Sequence, residues 1–268
     1  MKTLIIAEAG VNHNGSLALA KRLADQAKKA EVDVVKFQVG IPELVASKFA
    51  DKAAYQKQNT GKDESQLDMI RRISLTFDEH RELAQYCQHI GVAYLCTPFD
   101  LPSIDFLESL GTLFWKIPSG EITNFPYLRA IGKTHKPVIL STGMASLKEI
   151  EQCIEILTRF GTKREEITLL HCTTEYPAPK DEVNLKAIHS LREHFGLKVG
   201  YSDHTEGIEI PVAAVAMGAC ILEKHFTLDR TMDGPDHKAS LEPHELKQMV
   251  EYIRQVESAI GNGIKEAV

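Results

Sequence analysis

The chain has 268 residues, 43% hydrophobic and 25% charged, a composition typical of a globular protein with a sizeable core. Its 37 Asp and Glu against 31 Lys and Arg give a formal net charge of -6, which argues against a nucleic-acid or anionic-membrane partner. No apolar run approaches the roughly 20 residues of a membrane span, and the N-terminus does not resemble a signal peptide. Five scattered cysteines without CxxC spacing favour reduced thiols in a cytoplasmic protein.

Short apolar runs alternate with amphipathic segments along most of the chain. The runs, five to seven residues each, predict strands buried on both faces. They are Leu4–Ala9, Val34–Val39, Ala93–Thr97, Phe114–Pro118, Val138–Thr142, Ile167–Thr173, Val199–Asp203 and Ile221–Phe226. The segments after them have helical spacing, and several begin at Ser or Thr. They are Leu17–Ala30, Phe77–Ile90, Leu101–Leu110, Phe125–Gly132, Leu147–Phe160, Leu185–Phe195, Ile208–Met217 and Glu242–Ile260.

Eight repeats of a strand followed by a helix predict an α/β fold in which a parallel sheet closes into a TIM (β/α)8 barrel. An open doubly wound sheet is the alternative, but the phosphate-binding pattern GxGxxG is absent after the first strand. One connection departs from this alternation, because no strand is predicted between Ile41 and Thr76. This stretch includes the polar run Gln56–Ser65. A connection this long is typical of a functional lid or a mobile loop.

Polar side chains occur at the end of every predicted strand, where TIM barrels carry their chemistry. In chain order they are Glu8; Lys36 and Gln38; Thr97; Lys116, Ser119 and Glu121; Ser141; Thr174; Ser202 and His204; Glu223 and His225. Taken singly, such a Ser or Thr is more often a helix cap, a Lys or Glu is more often solvated, and a His is more often structural. Their recurrence at all eight ends favours an active-site mouth.

Two lysines and two histidines suggest what this mouth binds. Lys36 and Lys116 lie within apolar strands, where an ammonium group is unfavourable unless it is paired. Together with the hydroxyl groups they indicate a small polyanion, such as a phosphate ester that also carries a carboxylate. The alternative for each lysine is a structural ion pair with Glu8, Glu121 or Glu223. His204 and His225, at neighbouring strand ends, fit a divalent metal with open coordination positions. Their spacing leaves a metal site and a purely structural role equally open.

Nine motifs in order resemble the sialic acid synthases, which condense phosphoenolpyruvate with an N-acylated hexosamine. They are Ile6–Gly15, Val35–Gln38, Thr97–Phe99, Lys116–Glu121, Ser141–Met144, His171–Pro179, Tyr201–Thr205, Glu223–Thr227 and Gly234–Leu241. The resemblance spans essentially the whole chain. It implies a cytoplasmic, homodimeric barrel enzyme that forms a nonulosonic acid and phosphate.

The resemblance also implies a role for each matching residue. Phosphoenolpyruvate would be bound by Lys36, Thr97, Lys116, Ser119, Ser141, Thr174 and Ser202. Mn²⁺, or Mg²⁺ or Co²⁺ in its place, would be bound by His204 and His225. The acceptor sugar would contact Gln38, Tyr176 and Asp236. Glu8 and Glu121 would transfer protons.

Two departures from the family pattern stand out. Some members have Asn at Thr174 and an apolar residue at Glu175, so these positions are expected to tune the acceptor. That acceptor is expected to be N-acetylmannosamine or a 2,4-diacetamido-6-deoxy relative. Family members usually continue into an antifreeze-like domain that covers the partner's active site. Here residues 1–260 are expected to form the barrel and residues 261–268 the start of a linker, and a missing domain would weaken sugar binding.

Two other functions stay open. A lysine on a barrel strand can form an imine with a keto acid, which makes Lys36, Lys116 and Lys224 candidates for a Schiff-base aldolase. Borohydride trapping with pyruvate would identify that chemistry. The second alternative is a non-catalytic protein that binds a sugar phosphate or has a regulatory role, which metal-dependent phosphate release would exclude.

Overall fold

The computed structural model describes residues 2–53, 56–57 and 64–265. Its strands form one parallel sheet in the order β3-β2-β1-β8-β7-β6-β5-β4, and β3 and β4, at the two ends of this order, lie side by side. The strands are β1 Leu4–Gly10, β2 Val34–Val39, β3 Ala93–Pro98, β4 Trp115–Ile117, β5 Val138–Ser141, β6 Ile167–Cys172, β7 Lys198–Asp203 and β8 Ile221–His225. The nearly closed cylinder confirms the predicted barrel and excludes the open sheet.

Helices follow the strands, and most of them cover the outside of the barrel. They are α1 Leu17–Lys29, α2 Pro42–Val45, α3 Gln66–Ile73, α4 Phe77–Ile90, α5 Leu101–Ser109, α6 Phe125–Gly132, α7 Leu147–Phe160, α8 Ala187–Phe195, α9 Glu209–Ala216 and α10 Pro243–Ile260. All the predicted strands and helices are present, with ends shifted by at most two residues. Thr76 and Ser146 each cap a helix through a reciprocal hydrogen bond with a glutamate three residues later.

The described part of the connection after β2 contains α2 and α3, which the sequence analysis did not predict. Within its described residues it contains no strand, as expected. Ser65 begins α3 by accepting a hydrogen bond from the backbone N–H of Asp68, and Leu67, Met69 and Ile73 are buried. Most of the polar run predicted as a lid or mobile loop lies outside the described residues.

Two apolar layers explain why the barrel opens at one end. Strand residues facing outward pack against the helices in one large core. A second, smaller cluster fills the inside of the barrel and consists of Ile6, Val34, Leu95, Ile139, Leu170 and Ile221. Since successive residues of a strand alternate between faces, the residues two positions further along also point inward. The inner apolar layer therefore lies below Glu8, Lys36 and Glu223.

A buried ion pair lies on the outer face of the sheet. Lys224 has no exposed surface and alternates with the inward-facing Glu223 and His225. Its ammonium group donates to the Asp203 carboxylate and to the Thr205 carbonyl oxygen. The Tyr201 hydroxyl (2.9 Å) and the Thr205 hydroxyl (3.0 Å) donate to the same carboxylate. Lys224 is thus a structural residue behind the site, which removes it from the aldolase candidates.

Each of the five cysteines is free, and four of them are buried. Among the described residues, no helix combines the length and apolarity needed to cross a membrane.

Replacing Lys224 with Met should destabilise the protein strongly. The substitution leaves the Asp203 carboxylate buried without its cation, a change that lowers the free energy of unfolding by about 3–5 kcal/mol. Denaturant unfolding of Lys224→Met measures this loss. Lys247→Met is the matched control, because Lys247 pairs with Glu251 on the surface at 3.9 Å, and its effect should stay within about 0.5 kcal/mol. Equal losses in both variants would contradict the prediction.

Candidate active site

A cavity of about 380 Å³ lies at the carboxyl ends of the strands. It is lined by thirteen of the fourteen predicted site residues, namely Glu8, Lys36, Gln38, Thr97, Lys116, Ser119, Ser141, Thr174, Tyr176, Ser202, His204, His225 and Asp236. The fourteenth, Glu121, does not line the cavity. It ends the short helical turn Ser119–Glu121, and its carboxylate accepts a hydrogen bond from the Asn124 amide at 2.6 Å.

Four charged side chains form a continuous row at the bottom of the cavity. The Lys36 ammonium nitrogen lies 2.8 Å from Glu8 Oε2 and 3.6 Å from Glu223 Oε2. The Lys116 nitrogen lies 3.3 Å from Glu223 Oε1. All four side chains are at most 5% exposed. We call Glu8, Lys36, Glu223 and Lys116 the charge row.

In the sequence analysis Glu223 was a strand-end residue and one of three candidate partners of the two lysines, but it was not assigned to the site. The structure places it between the two lysines, and the Ser202 hydroxyl donates to its Oε1 at 3.1 Å. The alternation in β8 was the available signal, because Glu223 and His225 share one face of a strand. The two predicted lysines also have a structural role, since each is ion-paired as well as facing the cavity.

Burial and mutual pairing set the protonation states of the charge row. Burial alone would raise the pKa of Glu223, but Lys116 and Lys36 hold it at about 2. Burial opposes the charge on Lys36, yet Glu223 and Glu8 outweigh it and raise its pKa. Burial lowers the pKa of Lys116. Burial raises the pKa of Glu8, and Glu223 adds to this against the pull of Lys36. Glu8 is therefore the member of the row that most readily takes a proton.

Hydroxyl groups surround the charge row. The Thr97 hydroxyl accepts a hydrogen bond from the Lys36 ammonium group at 3.2 Å. The Ser119 hydroxyl accepts one from the backbone N–H of Gly143 at 2.8 Å, which turns it toward the ends of β5 and β6. Ser141 and Thr174 line the same side of the cavity. Two ammonium groups and a ring of hydroxyls suit an anion with several oxygen atoms.

The two predicted metal-binding histidines lie together, with ring centroids 5.6 Å apart, and the Tyr176 ring packs on His204 at 4.2 Å. Burial lowers the pKa of His204 to about 4 and that of His225 well below its usual range, so both rings are neutral at pH 7. His204 Nδ1 donates to the Thr173 carbonyl, which leaves the Nε2 lone pair free. His225 Nδ1 is buried without a hydrogen-bond partner.

Neutral imidazoles with free lone pairs fit a divalent metal such as Mn²⁺ or Zn²⁺. Among the described residues, no cluster of three or more His, Cys, Asp or Glu could hold a metal ion. A metal here would therefore have two protein ligands and would leave its other positions to water or substrate.

Backbone geometry brings Glu8 and Gln38 to the same place. A register irregularity between Glu8 and Gly10 bends the end of β1, and Gly10 has a φ of +52°, which glycine adopts without strain. A β-carbon at Gly10 would lie 3.3 Å from both the Gln38 amide and the Glu8 carboxylate. The Gln38 amide donates to Glu8 Oε1 at 2.8 Å. Gln38 thus fixes the orientation of the Glu8 carboxyl group.

The segment after β8 carries Asp236 over the cavity and is fastened to the loop after β1. Asn14 donates to the Asp233 carbonyl oxygen at 2.8 Å. His237 lies 3.3 Å from Asn14 Oδ1 through Nε2 and 2.7 Å from the Thr227 hydroxyl through Nδ1. Through these contacts the first predicted motif, Ile6–Gly15, holds the last one, Gly234–Leu241, in place over the mouth of the cavity.

The stability of the protein should depend on pH through Asp236. Burial and the nearby Glu8 raise the pKa of Asp236 to about 7, from about 4 in an unfolded chain. A raised carboxyl pKa means that the folded state favours the proton, so its stabilising contribution is complete below pH 4 and is lost as pH rises through 7. Asp236→Asn should therefore gain stability over the wild type with rising pH, by about 2–4 °C in Tm at pH 8.

Melting curves of both proteins at pH 5 and pH 8 test this prediction. The histidines and other carboxyl groups titrate in both proteins, so the difference between the two isolates Asp236. A difference in Tm that is the same at both pH values would show that Asp236 is ionised throughout.

Comparison with known proteins identifies the family. The model of the NeuB family matches residues 23–265. The N,N'-diacetyllegionaminic acid synthase of Campylobacter jejuni is 58% identical over 266 residues, which cover 99% of this chain and 80% of that protein. The synthase of the same name from Legionella pneumophila is 46% identical over 268 residues, and the match covers 99% of this chain and 75% of that protein.

A solved structure agrees with the sequence matches. The N-acetylneuraminic acid (sialic acid) synthetase of Leptospira borgpetersenii has a TM-score of 0.87 and is 35% identical, and the match covers 100% of this chain and 88% of that one. These matches confirm the predicted resemblance to the sialic acid synthases, and the chain belongs to the NeuB family.

Proposed function

We propose that this protein is a C–C bond-forming transferase that condenses phosphoenolpyruvate with an N-acylated amino sugar to give a nonulosonic acid and phosphate. The observation that carries this proposal is the pair of buried lysines at the bottom of a cavity ringed with hydroxyls. The names of its relatives favour a 2,4-diacetamido-6-deoxy acceptor over N-acetylmannosamine. The acceptor is proposed to contact Gln38, Tyr176 and Asp236.

Phosphoenolpyruvate carries a phosphate and a carboxylate, and the cavity offers partners for both. Lys36 and Lys116 are proposed to share its negative charge, since each loses little when it exchanges a carboxylate of the protein for one of the ligand. The remaining contacts come from the hydroxyls of Thr97, Ser119, Ser141, Thr174 and Ser202. Of these, Ser119 and Thr97 are already oriented by hydrogen bonds within the protein.

The reaction then proceeds in balanced steps. C3 of phosphoenolpyruvate forms a bond to the aldehyde carbon of the open-chain sugar, whose oxygen takes up a proton. Water adds to the cationic C2 and loses a proton. The resulting tetrahedral intermediate breaks its C2–O bond to phosphate, and loss of the remaining hydroxyl proton leaves a 2-keto acid. Glu8 is placed to exchange these protons, because it lines the cavity and its pKa is raised.

A divalent ion, proposed to be Mn²⁺, would be held by His204 and His225. When bound, it would supply a Lewis acid that polarises a carbonyl oxygen. Mg²⁺ or Co²⁺ are alternatives. The protein's own part is to keep both imidazoles neutral by burial and to orient His204 through the Thr173 carbonyl.

The aldolase alternative is less well supported. The ion pairs of Lys36 raise its pKa and keep it protonated, which suppresses attack on a carbonyl. Lys224 lies outside the barrel in its own ion pair. Lys116 is the remaining candidate, and borohydride trapping with pyruvate, which should give no adduct, tests it. A role in binding alone is disfavoured by the named synthases among the relatives.

Phosphate release from labelled phosphoenolpyruvate tests the proposed function. With ¹⁸O in the C2–O–P bridge, C–O cleavage should place the label in the phosphate, and release should require both an N-acyl amino sugar and a divalent metal. Metal-stripped wild-type protein should release almost no phosphate until Mn²⁺ is added, whereas His204→Ala should bind no Mn²⁺ and release almost no phosphate even with it. Label retained in the keto acid would contradict the C–O cleavage, and full activity without metal would contradict the role of the histidines.

Glu8→Gln should separate proton transfer from binding. The amide keeps the size of the side chain but cannot carry the proton, so kcat should fall by about 10²–10⁴-fold. The Kd for phosphoenolpyruvate, measured by calorimetry, should not rise, because the amide no longer competes with the ligand for the Lys36 ammonium group. Glu121→Gln, measured in parallel, tests the second predicted carboxyl group. A larger loss of kcat in Glu121→Gln than in Glu8→Gln would move the proton-transfer role to Glu121.

Compartment and assembly are also proposed. The free, mostly buried thiols support a cytoplasmic protein. The homodimer implied by the family, and the proposal that residues 261–268 begin a linker to a further domain, are tested by light scattering of this chain beside a two-domain relative.

A further inference from the structure

The mouth of the cavity has two chemically different halves. The sheet order places the ends of β4 to β7 next to one another, and these ends carry the hydroxyls of Ser119, Ser141 and Ser202. The ends of β8, β1 and β2 form the other half and carry His225, Glu8 and Gln38. If the anion binds among the hydroxyls, the rest of the second substrate extends over the other half.

Helix α3, in the connection after β2, lies beside this second half, because Gly15 in the loop after β1 packs against the Arg72 carbonyl group. One face of α3 lines the cavity through Gln66, Met69, Ile70 and Ile73, and we call these four residues the α3 wall. Met69 and Ile73 are buried, whereas Ile70 is half-buried and open to the cavity. Among the described residues that line the cavity, the only Lys or Arg are the two lysines of the charge row. The α3 wall therefore presents an uncharged, largely apolar surface.

Gln66 adds one polar group to this surface. It is the first residue of α3, so its side chain is at the helix end nearest the preceding loop. Its Oε1 is buried and has no hydrogen-bond partner among the described residues. A buried acceptor without a partner is unfavourable, because it has lost its hydrogen bonds to water. A ligand N–H group at this point would remove that penalty, and an acetamido group supplies an N–H next to a methyl group.

We propose that the α3 wall determines acceptor specificity by binding the distal end of the sugar. The three apolar side chains contact methyl groups, and Gln66 accepts a hydrogen bond from an acetamido N–H. The wall therefore selects an acceptor with a deoxy, acetamido-substituted end over one with hydroxyls or a phosphate there. This inference rests on the proposed condensation and adds to it the residues that choose the acceptor.

Ile70→Gln tests the apolar part of the wall. The substitution keeps the length of the side chain at a half-buried position, so the fold should be retained. The ratio of kcat/KM for the 2,4-diacetamido-6-deoxy acceptor to that for N-acetylmannosamine should fall roughly ten-fold. The KM for phosphoenolpyruvate should not change. Leu113→Gln is the control, because Leu113 is 80% exposed and lies just before β4, at the opposite end of the barrel.

Gln66→Met tests the hydrogen bond. It keeps the volume but removes the acceptor, and it should lower kcat/KM for the diacetamido acceptor several-fold more than for N-acetylmannosamine. N-acetylmannosamine 6-phosphate should be a poor substrate of the wild type, because its dianion would face the apolar wall.

The outcomes separate the two proposals. If Ile70→Gln and Gln66→Met stay active and change kcat/KM for both acceptors equally, the role of the α3 wall is overturned. The proposed condensation is not affected by that result. Efficient use of the 6-phosphate by the wild type would overturn it as well. No phosphate release by the wild type with any amino sugar would overturn the proposed condensation itself, and the acceptor role of the wall with it.

Discussion

Four charged side chains, Glu8, Lys36, Glu223 and Lys116, lie just above an apolar layer inside the barrel. Each of these charges is unfavourable in such a place unless an opposite charge is within contact. Removing one member leaves its neighbour unpaired, so the row is a single unit rather than four separate groups. The apolar residues beneath the row fill the barrel and close the inner end of the cavity.

The charge row explains how a cavity with two buried ammonium groups exists before any ligand binds. Glu223 is ionised and pairs with both lysines, while the pKa of Glu8 is raised. An incoming anion can replace carboxylate contacts with contacts of the same kind, so binding exchanges ion pairs instead of creating new buried charge. Glu8 can then take up the proton that restores the balance, which links anion binding to proton transfer at one carboxyl group.

Much of the fold and of the site could be predicted because both follow from local patterns. Apolar runs of five to seven residues predicted the ends of the strands to within one residue. The strand ends gave eleven of the thirteen predicted residues that line the cavity, and Tyr176 and Asp236 came from the family resemblance. Partnership between strands was not readable in the same way, so the sequence did not determine which glutamate lies between Lys36 and Lys116. α3 was missed because a polar run precedes it, although Ser65 and the apolar residues from Leu67 to Ile73 form a helix signal. Glu121 does not line the cavity, because it ends the helical turn Ser119–Glu121 and accepts a hydrogen bond from Asn124.

Side chains that alternate along one strand have different roles. Those that face outward stabilise the fold, and those that face the cavity carry the chemistry. In β8, Glu223 and His225 face the cavity, and Lys224 between them faces outward to Asp203. In β7, Ser202 faces the cavity and Asp203 faces outward, so the two strands are joined behind the site by one buried ion pair. Asp203 and Thr205 flank His204 in the chain. Lys224 donates to the carboxylate of Asp203 and to the carbonyl oxygen of Thr205. The outward pair therefore fixes the backbone that carries His204, and the inward groups are free to change partners without loosening the barrel.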